Sequence, residues 1–130
     1  MEHSNILPQR ILVVDDEPYV CDALRMMLTI DGHEVATASN GAEALTLYAP
    51  QRFDVVITDY SMPRMKGDEL AVAIKARNPD QPIVMITAFT ELLSGNKTGV
   101  PGVDALISKP FRLEQLREAL TRVLARREPS

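Results

Sequence analysis

The stretch "ILVVDDEP", Ile11 to Pro18, decides how this chain is read. Four apolar residues run directly into two aspartates, a glutamate and a proline. An apolar run of that length reads as a buried strand. Carboxylates are rarely buried unless they are paired, so two of them at the mouth of a core strand point to a site built there.

The same pattern recurs along the chain. Pro18 suits the first turn of a helix, and Val20, Leu24, Met27 and Leu28 repeat at helical spacing. This predicts a helix from about Pro18 to Ile30, ended by Asp31-Gly32. Glu34 to Ala38 reads as a short strand, Asn40-Gly41 as a turn, and Ala42 to Tyr48 as a helix. Val55 to Thr58 is a third strand, again running into an aspartate, Asp59. A loop with Pro63 and Gly67 leads to a helix from about Asp68 to Arg77, closed by "NPDQP". Ile83 to Ile86 and Ala105 to Ser108 are strands four and five. A final helix, about Arg112 to Arg127, carries Leu113, Leu116, Leu120 and Leu124 on one face. Phe89 to Asp104 fits neither period. Five short apolar strands separated by helices imply one α/β domain with a parallel sheet covered on both faces.

Composition is that of an ordinary globular chain: 130 residues, 45% hydrophobic and 25% charged. No run approaches the roughly 18 apolar residues that cross a membrane, and the N-terminus shows no signal-peptide pattern. Cys21, the single cysteine, is expected to be a packed side chain in a reducing cytoplasm. A net charge of -4 argues against direct nucleic-acid binding. Arg112, Arg117, Arg122, Arg126 and Arg127 read as a solvated helix face. His3 and His33 read as surface residues, because neither has zinc-ligand spacing.

In an open parallel sheet, ligands bind beyond the carboxyl ends of the strands, where strand order reverses. Asp15 and Asp16 follow strand one, Asp59 strand three, Thr87 strand four and Lys109 strand five. With the order 2-1-3-4-5 all five converge on one edge. Each close pair of carboxylates costs on the order of 4 kcal/mol at an effective dielectric near 20. Lys109 alone does not neutralise three acids, so a divalent cation is expected. An all-oxygen donor set fits Mg²⁺. A carboxylate held beside Mg²⁺ and a lysine can attack a phosphoryl group, so Asp59 is the expected nucleophile and an acyl phosphate the expected product.

The motifs "LVVDDEP", "VVITDYSMPRMKG", "ITA" and "KPF" together resemble the receiver domain of bacterial two-component response regulators. The resemblance spans about residues 10 to 127, leaving 1–9 and 128–130 as tails, and implies a flavodoxin-like (βα)5 fold. It implies Asp59 as phosphoacceptor and Asp16, Asp15 and Asp59 as Mg²⁺ ligands, Asp15 through water. The backbone carbonyl of Ser61 would complete the protein's share of the shell. Lys109 would pair with the phosphoryl group and Thr87 would be the switch hydroxyl. Pro110 fits the family's lysine-proline step, often a cis bond. The partners implied are a sensor histidine kinase or histidine phosphotransfer protein, and a downstream partner or output domain.

Two features depart from the family. Leu106 stands where a Tyr or Phe is common, so a response through backbone and packing changes rather than a ring flip is expected. In the fourth crossover, Gly95, Gly99, Gly102 and Pro101 weigh about 6 kcal/mol against a continuous helix, so a short or irregular one is expected.

On this reading the chain carries no output domain and is either a stand-alone receiver or a piece of a longer regulator or hybrid kinase. It is not expected to be a turnover enzyme. The alternative is a Mg²⁺-dependent phosphatase with an aspartyl-phosphate intermediate. That class pairs its nucleophile with an aspartate two residues on, where this chain has Ser61. A DNA-binding regulator is a third reading, disfavoured by the acidic balance.

Overall fold

Ile11, Leu12, Val13 and Val14 are at most 1% exposed, so the strand they form lies at the centre of the molecule. The computed structural model describes residues 7–48, 52–88 and 102–127. In chain order the elements are β1 (Arg10–Val14), α1 (Pro18–Ile30), β2 (Glu34–Ala38), α2 (Gly41–Tyr48), β3 (Val55–Asp59), α3 (Gly67–Arg77), β4 (Ile83–Thr87), β5 (Ala105–Ser108) and α4 (Leu113–Arg127). The strands form one parallel sheet in the order β2-β1-β3-β4-β5. This is the expected order and the expected flavodoxin-like class.

The two-residue period of a strand distributes the apolar runs between two cores. Ile11, Val13, Val55, Ile57, Val84 and Ile86 face α1 and α4, where Leu24, Leu28, Leu116 and Leu120 meet them. Leu12, Val14, Val56 and Ile83 face α2 and α3, against Ala44, Tyr48, Leu70 and Ile74. Each fully buried Leu, Ile or Val contributes about 1.5–3 kcal/mol, so burial on both faces holds the strand ends in place. Cys21 is buried, as expected.

Three local readings are corrected. His33 is not a surface residue: it is 4% exposed, and its Nδ1 accepts the Gln9 backbone N–H at 2.9 Å. Arg117 departs from the solvated face expected of the late arginines. Its guanidinium forks onto the buried Asp31 carboxylate at 2.8 and 2.7 Å, tying the end of α1 to α4. Asn40 caps α2 rather than only turning the chain, since its Oδ1 accepts the Glu43 N–H at 2.8 Å. The fourth crossover expected to be short or irregular, residues 91–102, lies outside the described residues except for Gly102, which has φ 83°.

Candidate functional site

β1 and β3 are neighbours, with Val14 opposite Thr58, so the aspartates that follow them emerge side by side. Asp15 extends the ladder through its N–H to the Ala38 carbonyl (3.1 Å) and is 3% exposed. Asp59 closes β3 and is 7% exposed, while Asp16 is exposed. Asp15, Asp16 and Asp59 each offer a carboxylate oxygen, and these oxygens lie within 4.8 Å of one another.

The remaining positions come from β4 and β5. Thr87 ends β4 and is fully buried, with its neighbour Ile86 opposite Asp59 in the sheet. The Lys109 N–H donates to the Thr87 carbonyl at 3.0 Å, which fastens the lysine to the end of β4. Its ammonium donates to Asp15 Oδ2 at 3.2 Å and stands 3.5 Å from Asp59 Oδ2. The Lys109–Pro110 bond is cis. Ser61, two residues past the end of β3, is exposed, and Leu106 is half-buried in β5.

The electrostatics follow from burial. Desolvation pushes the Asp15 carboxyl above the ordinary aspartate range, against the Glu17 N–H and Lys109, which favour its charge. Desolvation also raises Asp59, with the Asp15 charge adding to it and Lys109 opposing. Burial pulls Lys109 downward, but Asp15 and Asp59 outweigh it and hold the ammonium above the ordinary lysine value. Among the described residues, Lys109 is the one lysine set against the acidic group of Asp15, Asp16 and Asp59. Its all-oxygen donors suit a hard divalent cation rather than zinc.

Two features escaped the sequence reading. Glu17 Oε1 lies 3.7 Å from Lys109 Nζ, so the lysine serves three carboxylates from Asp15, Asp59 and Glu17. The signal was present in "DDEP", where a glutamate precedes the proline that starts α1. The second is Gly67, where a Cβ would collide with the Asp59 carbonyl oxygen and lie 2.9 Å from the Tyr60 Cα. Gly67 also donates its N–H to the Tyr60 carbonyl at 2.8 Å, so the loop folds back directly against the end of β3.

With this geometry in hand, the likeness to known proteins is specific. A family profile described as the response regulator receiver domain matches residues 11–121. The response regulator MprA of Mycobacterium sp. (strain KMS) is 39% identical over 124 residues, covering 95% of this chain and 54% of that protein. The chain thus spans about half the length of the curated relatives it matches. A response regulator receiver domain protein from Clostridium thermocellum is 30% identical with a TM-score of 0.81, covering 92% of this chain and 96% of that one. The response regulator TrrA from Thermotoga maritima, solved in complex with Mg(2+)-BeF, is 35% identical with a TM-score of 0.81, covering 89% and 99%. The chain belongs to the response regulator receiver domain family. It is a signalling domain of two-component systems rather than a turnover enzyme, and the phosphatase alternative finds no support.

Proposed function

We propose that Asp59 is the phosphoacceptor of this receiver and that Asp15, Asp16, Asp59 and the Ser61 carbonyl hold Mg²⁺ beside it. The observation that carries the reading is the placement of Asp59 with the Asp15 and Asp16 carboxylates on one side and the Lys109 ammonium at 3.5 Å. The domain runs from about residue 10 to 127 and acts in the cytoplasm. A sensor histidine kinase or histidine phosphotransfer protein supplies the phosphoryl group.

In the transfer, an Asp59 carboxylate oxygen bonds to phosphorus as the bond from phosphorus to the donor imidazole nitrogen breaks. The electron pair remains on that nitrogen, which takes a proton. Bound Mg²⁺ would supply neutralisation of charge on the equatorial phosphoryl oxygens. Lys109 gives a second positive contact, and its reach to Asp59 supports that role. Thr87 offers its hydroxyl from the end of the neighbouring strand, a position suited to reporting the new group. The relay passes through backbone and packing changes around half-buried Leu106 rather than through an aromatic ring flip.

The output is regulation of a partner or of an output domain in a longer protein, without direct nucleic-acid binding by this chain. Incubation with acetyl phosphate and Mg²⁺ should add one phosphoryl group by intact mass. Thr87→Ala should keep that label while its amide shift response weakens, and Lys109→Ala should lose the response and slow labelling. Identical shift changes in wild type and Thr87→Ala would contradict the switch role.

A further inference from the structure

Glu17 holds the N-cap position of α1, yet its side chain makes no hydrogen bond to the first turn. Short side chains such as Ser, Thr, Asp and Asn are favoured there, and a glutamate is not. The helix starts by other means: Pro18 opens its first turn, and the Glu17 carbonyl accepts the N–H groups of Val20 and Cys21 at 3.1 and 3.2 Å. The Glu17 carboxylate instead reaches 3.7 Å from Lys109 Nζ. Its backbone N–H donates to Asp15 Oδ1 at 2.9 Å. One residue thus orients a member of the acidic group through its backbone and claims the shared ammonium through its side chain.

We propose that Glu17 is a positioning residue that competes with the phosphoryl group for Lys109 and thereby sets how readily Asp59 is phosphorylated. The inference rests on the reading of Asp59 as the acceptor. Asp15 and Asp59 side chains are 3% and 8% exposed, whereas Glu17 is 51% exposed at the rim. An anionic phosphodonor arriving from solvent therefore meets the Glu17 charge before the buried Asp15 and Asp59 carboxylates, and takes the ammonium from it. The same charge adds to the negative potential that draws a divalent cation. Removing it acts in opposite directions: anionic donors react faster, and Mg²⁺ binds less tightly. A residue that only shaped the start of α1 would change both readouts in the same direction, by loosening the fold.

The test compares wild type, Glu17→Gln and Glu17→Lys for the rate of labelling by acetyl phosphate at saturating Mg²⁺, with a separate Mg²⁺ titration. Gln keeps the chain length and the backbone bond to Asp15. Labelling of Glu17→Gln should be about threefold faster at low ionic strength, in keeping with a half-exposed pair. Its Mg²⁺ midpoint should move to higher concentration, and the rate difference should close in 1 M salt, where screening falls to about 3 Å. Glu17→Lys should be faster still. Equal or slower labelling of both variants beside a labelled wild type would overturn the role of Glu17 alone. An unlabelled wild type would overturn the acceptor reading and this inference with it.

Discussion

Gly67 lies so close to Asp59 that any Cβ at position 67 would enter the Asp59 carbonyl oxygen. The atoms in the way are backbone, which cannot swing aside as a side chain could. Gly67→Ala must therefore push either the end of β3 or the start of α3. The expected cost is about 3 kcal/mol, at the upper part of the usual range for overpacking. Urea unfolding should show the lowered midpoint, and labelling by acetyl phosphate should slow because the acceptor backbone has moved.

Divalent cation should stabilise the fold through the acidic group. At 100 times its dissociation constant, Mg²⁺ would add about 2.7 kcal/mol by linkage. The melting temperature of the wild type should rise across millimolar Mg²⁺, and the rise should largely vanish in Asp16→Ala. Asp16 is the exposed member of the three, so this substitution leaves the buried Asp15–Lys109 pair in place. An unchanged wild-type melting curve would remove the metal from the account.

The Asp31–Arg117 pair predicts a large effect far from the acceptor. The Asp31 side chain is 1% exposed and accepts two guanidinium bonds. Arg117→Ala strips a buried carboxylate of that cation, and breaking such a pair costs about 3 kcal/mol. Arg117→Lys should recover only part of the loss, since an ammonium lacks the two-pronged geometry. Equal stability of Arg117→Ala and wild type in denaturant would contradict this.

His33 predicts a pH dependence of stability. Its Nδ1 accepts the Gln9 N–H, which requires that nitrogen to be unprotonated, and Nε2 is buried without a partner among the described residues. Burial, partly countered by the Asp31 charge, holds its pKa below the ordinary histidine value. The unfolded chain therefore binds the proton first as pH falls. The contribution is complete above the unfolded value near 6.5 and is lost as acidification proceeds toward the lower folded value. The stability difference between wild type and His33→Gln should shrink from pH 7.5 to pH 5. A difference independent of pH would contradict the buried neutral imidazole.

Much of this site was legible because its residues sit directly after apolar runs. Asp15, Asp59, Thr87 and Lys109 each follow or end a strand, and a parallel sheet brings strand ends together. What was not legible depends on contacts between distant segments. His33 sits in a polar turn, yet it is buried and its Nδ1 is held by the backbone N–H of Gln9, 24 residues away. Arg117 looks like one of several surface arginines until Asp31, 86 residues away, is placed beneath it. Asn40-Gly41 carries one signal for two outcomes, since asparagine both turns a chain and caps a helix. Gly67 was read as a loop residue, and its closeness to Asp59 exists only once β3 and α3 are packed.

Asp59, and no other carboxylate in the acidic group, is expected to carry the phosphoryl group. Reduction with borohydride converts an aspartyl phosphate into homoserine and so marks the residue permanently. After treatment with acetyl phosphate and Mg²⁺, peptide mapping by mass spectrometry should find homoserine at position 59. Asp59→Asn should take up no phosphoryl group by intact mass. Homoserine at position 15 or 16, or equal labelling of Asp59→Asn, would rule out Asp59 as the phosphoacceptor.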